Sequence, residues 1–573
     1  MRTLFLVIAC VSGLAAQEGE PRAPVIAPFG VQHGAASFPG RLAPGGIFVV
    51  KGAYLGPNEL VTADAPYPTE LAGSQLELRS DVSGEVFSVP LLHAWMFQLG
   101  GIVPLDFPPG PGQVTAIYQG RRSEPEAVMV AESAGAVFSL SQQGSGRAVA
   151  QNWESPESTP LNQFTRPARP GQTIILWATG LNNADGARKV RVALTGRSGQ
   201  PSVSRWFDTT GFAFLELTPF YAGPAPGLPG VDQVNVTLPT EGLPEGCFVD
   251  VSLSVDNAGL GSTTIAIASG DGPCVHPWGL SESQLRNLDE GGQVRVASLS
   301  LVDTEFPSAS SGGAEPRVLA LAQTELVTAD AAGGSYSSIT PVFPNNIIPA
   351  SRYVACGGFF AAIGGIIGGP YEPLPQPPPP DQPSREFADA GSALELLGPD
   401  GQRLSMPLQA EGGPYAPAQT YGSEDALEPG AFTPGPWTLL APGGEDIEAF
   451  EGTIQVPPIP VVTPPERIRR GEDLQVSWDG QGFAEDVLVR VAVMVNGPAP
   501  GELPRPEGTF CYAAGSAGQV TIPKEVLAQL PASTDGFAEL GVTVQSSAEF
   551  SSPALAHGSG AFQASRSMQV PID

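Results

Sequence analysis

Apolar and polar residues alternate strictly over several stretches of this chain. In the segment 248–255, Val249, Val251, Leu253 and Val255 share one face, and Asp250, Ser252 and Ser254 the other. A period of two belongs to an extended strand, whose successive side chains point to opposite sides. The same rhythm recurs over 233–238 and 486–495. A strand with one dry and one wet face belongs to a sheet packed on one side, and two such sheets stacked make a sandwich. Helical spacing is rare. The segment 281–288 sets Ser281 as a cap before Leu285 and Leu288, and 523–530 opens on Pro523, which suits a first helical turn. The pattern predicts an all-β protein of tandem immunoglobulin-like β-sandwich domains with a few short helices.

At 573 residues the chain exceeds one core and predicts several units. Its 70 glycines and 61 prolines, set among many Val, Ile and Phe, read as frequent turns between short strands rather than as disorder. Punctuation places a first sandwich over 24–132 and a second over 133–272, the latter closed by Gly270-Asp-Gly-Pro-Cys274. An irregular β domain over 275–459 holds the glycine-rich apolar run from Phe359 to Ile367 and a proline-rich loop at 373–383. The proline run is expected to be an extended spacer or loop. The apolar run is expected to be buried under this unit, with a contact surface as the alternative. The Pro457-Pro458 and Pro464-Pro465 pairs open a third sandwich over 460–573.

Residues 1–16 carry Arg2, an apolar run from Leu4 to Leu14, and then Ala15 and Ala16. This is the layout of a secretory signal peptide, the run being too short to span a bilayer. Cys10 lies inside that run, early for a lipid-bearing cysteine. The expectation is an exported protein, periplasmic, on the outer surface or extracellular, with no membrane span after cleavage. Four cysteines then remain: Cys247, Cys274, Cys356 and Cys511. An even number in an exported chain favours structural disulfides, and no Cys-x-x-Cys pair points to zinc or redox chemistry. Three pairings are open. Cys247–Cys274 is preferred because the two bracket one terminal hairpin, and Cys356–Cys511 follows by elimination.

Charge narrows the partners. Against 28 basic residues stand 58 acidic ones, a net charge of −30 that repels phosphate backbones and argues against nucleic acid. The four histidines, His33, His93, His276 and His557, are scattered without metal-ligand spacing, and no Gly-x-Ser-x-Gly elbow occurs. With 58 acidic residues, proximity of two carboxylates means little, and no pair stands out as an acid and base couple. No catalytic, cofactor-binding or metal residue is assigned. The loop 182–186 (Asn-Asn-Ala-Asp-Gly) and Asp479-Gly480 read as Asx turns, with structural calcium as the alternative. Trp177, Trp437 and Trp478 are expected in cores, while Trp153, Trp206 and Trp278 have surroundings that allow exposure and stacking on a sugar.

Several phrases carry a family likeness. They include Ala43-Pro-Gly-Gly-Ile47, Lys51-Gly-Ala-Tyr-Leu-Gly-Pro57, Tyr67-Pro-Thr-Glu-Leu-Ala-Gly73, Gly146-Arg-Ala-Val-Ala-Gln-Asn152 and Trp177-Ala-Thr-Gly180. Tyr221-Ala-Gly-Pro-Ala-Pro-Gly227 followed by Gln233-Val-Asn-Val-Thr-Leu-Pro239 is the most specific. In this order over about 30–272 the chain resembles the secreted-protein domain expanded in acidobacterial genomes, often called the Solibacter C-terminal domain family. Gln98-Leu-Gly-Gly-Ile-Val-Pro104 departs from the Gln-Ile-Asn-x-x-Val-Pro phrase usual in the first unit of that family. The second half resembles, more loosely, the β-rich region that often accompanies the domain. The resemblance implies sandwiches and export, and transfers no functional residue. The function expected is that of a non-catalytic exported binding or structural protein of the cell envelope or surface, its partner an unknown protein or glycan. The alternative is a carbohydrate-binding or calcium-stiffened adhesion module assisting polymer use.

Overall fold

A computed structural model describes residues 22–573 except 38, 40, 198–211, 306–316, 330–348, 351–353, 361–384, 410–418, 424–426, 485–486 and 498–504. Segment 1–16, expected to be a signal peptide, Trp206, the proline run 373–383 and the apolar run after Phe360 lie outside the described residues.

The expected β class holds throughout. In the first sandwich, one sheet orders Val25–His33, Ile47–Ala53, Gln98–Ile102, Leu91–Trp95 and Val61–Thr62. It faces a second sheet built on Glu126–Val130, Gly110–Tyr118 and Ser74–Ser80. Alternation puts Phe48, Val50, Leu76, Leu78, Leu99 and Val114 between them, all buried. In the second sandwich a front sheet orders Ala136–Val137, Thr173–Thr179, Asp232–Thr237 and Tyr221–Pro224, with Ala150–Trp153 also paired to Thr173–Thr179. A back sheet centres on Val190–Arg197 and Gly246–Val255. The Val249, Val251, Leu253 and Val255 face forms its core with Ile174, Leu176, Val234 and Val236, as the period-two pattern predicts. Cys247 and Cys274 are bonded.

Adjoining units meet through buried joints. His33 of the first sandwich is 1% exposed, and its Nε2 lies 2.7 Å from the Ala134 carbonyl. Its Nδ1 accepts from the Ala35 and Ala36 amides at 3.2 and 3.1 Å. The Thr179 hydroxyl donates to the Gly230 carbonyl and accepts from the Ile47 amide at 2.8 Å. Gly180, at φ +81°, is required here: a Cβ would sit 2.4 Å from the Ala134 oxygen. On the other side, helix Glu282–Asp289 is capped by Ser281 in a reciprocal box with Gln284, the start the sequence predicts. Asp289, at its end, accepts from the Phe164 and Thr165 amides at 3.1 and 2.8 Å and so ties the helix to the second sandwich.

Beyond the helix, one sheet crosses the boundary expected near 459. Strand His557–Pro571 pairs in parallel with Val294–Glu305 over ten residues, from Val296↔His557 to Glu305↔Arg566. It also pairs antiparallel with Phe537–Phe550, which in turn runs beside Leu488–Gly497. Among the described residues this sheet counts 14 strands, and one core holds Leu299, Trp437, Ile454, Val491 and Phe562 together. Residues 275–573 therefore share a sheet and a core. The proline pairs at 457–465 lie in a loop within this unit, with Pro457 buried, and the ladders that unite the halves come from residues far apart in sequence.

Candidate functional site

The outward face of the front sheet gathers uncharged polar and aromatic side chains. Alternation fixes which residues reach it: Ile174, Leu176 and Ala178 point into the core, so Thr173, Ile175 and Trp177 point out. Cross-strand register then lays the face out in rows. Trp153, Thr173 and Thr237 stand side by side, followed by Gln151, Ile175, Asn235 and Tyr221, and then Trp177, Gln233 and Gly223. No Asp, Glu, Lys or Arg occurs in these rows.

Hydrogen bonds fix the polar groups in place. Trp177 Nε1 donates to Gln151 Oε1 at 2.9 Å, and Gln151 Nε2 donates to the Thr159 carbonyl at 2.9 Å. Gln233 Nε2 donates to Asn235 Oδ1 at 2.9 Å, and the Thr173 and Thr237 hydroxyls are 3.0 Å apart. The Tyr221 hydroxyl donates to the Pro224 carbonyl at 2.6 Å. Trp153 is 44% exposed, and the neighbouring Phe220 is 67% exposed.

The five described tryptophans given an expectation above divide differently from it. Trp437 and Trp478 are buried in the core, their indoles donating to the Thr433 and Gly515 carbonyls. Trp177 was expected in a core and instead lies half-buried on the outer face. Trp153 is exposed, as its polar flanks allow. Trp278 is half-buried, stacked on His557 with ring centres 4.7 Å apart and planes 7° from parallel.

The histidines do structural work where they are found. Burial lowers His33 to about 4, which keeps its ring neutral so that Nδ1 accepts two amides. Burial likewise lowers His557 to about 4. His276 sits 5.2 Å from Trp278 and 5.2 Å from Phe248, in a junction cluster with Phe164 and the Cys247–Cys274 bond. Sequence reading treats His276 and His557 as unrelated, and packing places both against Trp278.

The loop 182–186 lies at the edge of the second sandwich, beside a groove of about 520 Å³ that also touches Arg191, Phe220 and Tyr221. Its oxygens engage protein: Asn183 Oδ1 accepts from the Arg188 amide at 2.9 Å, and Asp185 Oδ1 from the Ala187 amide at 3.1 Å. The Arg188 guanidinium donates to the Asn182 carbonyl at 2.8 Å. Asp479 Oδ1 accepts from the Gln481 amide at 3.0 Å, again an Asx turn. Two of the groove's cations pair with anions, Arg188 with Asp256 at 3.0 Å and Arg191 with Glu216 at 3.2 Å. Among the described residues no group of three or more His, Cys, Asp or Glu is arranged to hold a metal ion. No described helix is long and apolar enough to cross a membrane.

No family model and no curated protein matches the chain. Among solved structures it is similar to a DUF4785 family protein of Legionella pneumophila, at 8% identity over 41% of this chain and 55% of that one, with a TM-score of 0.15. It is also similar to domains 5–6 of the surface-layer protein SbsC, at 13% identity over 43% and 99%, TM-score 0.16. The Escherichia coli adhesin FdeC is a third, at 10% identity over 76% and 96%, TM-score 0.13. The chain spans about half the length of the Legionella protein. Similarity at this level carries no weight for function, and the fold class rests on the strands themselves.

Proposed function

We propose that this chain is an exported, non-catalytic binding protein of the cell envelope or surface, whose sandwiches hold one recognition face at a fixed attitude. The observation that carries this reading is the uncharged aromatic and amide face of the second sandwich, on which Trp153 and Tyr221 are exposed. An exposed indole is a residue type that anchors contact sites, and the amides beside it offer a partner hydrogen bonds. Export is supported by the layout of residues 1–16 and by the Cys247–Cys274 bond, since disulfides persist in oxidising compartments. The joints at His33 and Asp289 support the fixed attitude, because buried hydrogen bonds there replace flexible linkers.

The test is a pull-down with the mature chain from cell-envelope extract and culture fluid, analysed for both protein and glycan. Enrichment that is lost in the Trp153→Ala variant is the expected result. Recovery of nothing above a control sandwich protein would overturn the reading.

A further inference from the structure

We propose that the outward face of the front sheet binds a neutral polysaccharide chain, an inference that rests on the binding reading above and gives its ligand a chemical class. Three features favour this occupant. The first is charge. The rows from Trp153 to Gly223 hold no ionisable side chain except the Tyr221 phenol, in a chain whose net charge is −30. A face meant for a charged partner would place opposite charge at its centre, and the negative charge of the chain as a whole is unfavourable to anionic polymers, although Arg188, Lys189 and Arg191 line the groove beside Tyr221. A neutral ligand loses nothing to either.

The second feature is the mixture. A protein partner would meet a contiguous apolar patch at the centre of its interface. Here Trp153, Trp177 and Tyr221 are separated by Gln151, Asn235, Gln233, two threonines and the buried Ile175. Sugars present this alternation themselves: the C–H face of a ring packs on an aromatic face, and its hydroxyls take amide donors and acceptors. The Gln233–Asn235 bond spends one donor and one acceptor, which leaves the Asn235 amide nitrogen and the Gln233 carbonyl for hydroxyls.

The third is extent and stiffness. Trp153 stands opposite Thr173 and Trp177 lies four residues along that strand, which separates the two indoles by about 13 Å at the rise of a β-strand. Tyr221 lies two strands across from Ile175, about 10 Å at the usual strand spacing. Trp153 and Tyr221 are the exposed aromatics of this span, with Ile175 between them 9% exposed, so a chain of several rings would rest on the two and cross the buried middle. The Trp177–Gln151–Thr159 and Tyr221–Pro224 bonds hold the rings before binding, so little order remains to be imposed.

The experiment measures retention of the mature protein on insoluble cellulose, β-1,3-glucan and starch, with pectin as the acidic comparison. It is run at low salt and at about 1 M NaCl, where exposed charge pairs are screened. Wild-type protein is expected to be retained on at least one neutral polymer, equally at both salt levels. Trp153→Ala and Tyr221→Ala should each weaken retention about tenfold or more, the range for an anchoring aromatic. Both side chains are exposed and leave the cores of the sandwich untouched, and a circular dichroism spectrum equal to wild type checks this. Failure of all three neutral polymers, or retention indifferent to both substitutions, overturns the assignment. So does salt-sensitive retention on pectin alone. Recovery of an envelope protein through Trp153, with no retention on a neutral polymer, also overturns it and leaves the broader binding reading standing. The two failures are thus distinguishable.

Discussion

His33 sits where two sandwiches meet, and its neutral ring is the condition for the joint. In the unfolded chain it takes a proton near pH 6.5; in the folded chain it does so only near 4. Stability from this group is therefore complete above pH 6.5 and falls as the pH drops to about 4, by about 3 kcal/mol for a shift of that size. Asp232 acts with the opposite sign. Burial raises it to about 6 although Leu181 N donates to it at 2.8 Å, so the folded state gains as the pH falls from 6 towards 3.8. The two largely offset each other in the wild-type protein, and variants separate them. The gap in stability between wild type and His33→Ala should be about 2–4 kcal/mol at pH 7 and narrow towards pH 4. Asp232→Asn should gain on wild type as the pH rises through 6. Urea unfolding at pH 4, 5 and 7 checks both, and a His33→Ala gap that stays constant with pH would refute the neutral-ring account. Little of this is legible in sequence: His33 stands among polar and small residues, and its partner is 101 positions away. Trp177 shows a different limit. The run 173–179 is apolar on both faces, so alternation could not say which side the indole takes.

At the scale of elements, alternation served well where one face was polar, as in Gly246–Val255, and the helix start at Ser281 was legible from its capping pattern. Cysteines tested another kind of inference. The Cys247–Cys274 bond closes a stretch of 27 residues, for which chain entropy gives about 3.5 kcal/mol, and it lies beside Phe164, Leu285 and Leu288. Replacing both cysteines by serine should lower the melting temperature by several degrees, read by calorimetry at equal pH. For the second pair, strands Val354–Phe360 and Arg505–Ala514 run antiparallel with Cys356 directly opposite Cys511. We expect peptide mapping of the unreduced protein to yield a 356–511 linked peptide. Free thiol at Cys511 would refute that pairing.

For the molecule as a whole, the decisive structure is the long hairpin of Phe537–Phe550 and His557–Pro571. Its near half pairs with Leu488–Gly497, and its far half with Val294–Glu305, so a single hairpin serves both parts of 275–573. Phe450 stacks over Phe550 at 6.4 Å, and Arg566 pairs with the fully buried Asp303 at 2.9 Å, which fastens the far half from both sides. The chain expressed without 460–573 is expected to keep two folded sandwiches and lose the cooperative unfolding of the remainder, seen as a missing transition in calorimetry. A folded, cooperative 275–459 in that variant would refute the shared core. The sequence concealed this union because parallel partners need no turn between them, and proline pairs in the intervening loop mimic a linker.

That hairpin also sets the order of assembly. Asp303 must wait for Arg566, 263 residues later, before its charge is answered. Until then the ribbon headed by Val294 offers an unsatisfied margin to any passing chain. Such distant closure makes maturation of this part slow and leaves it vulnerable to self-association while it is incomplete. The two leading sandwiches close over shorter spans, about a hundred residues for His33 to Ala134 and Asn162 to Ala266, and need nothing from the C-terminal hairpin.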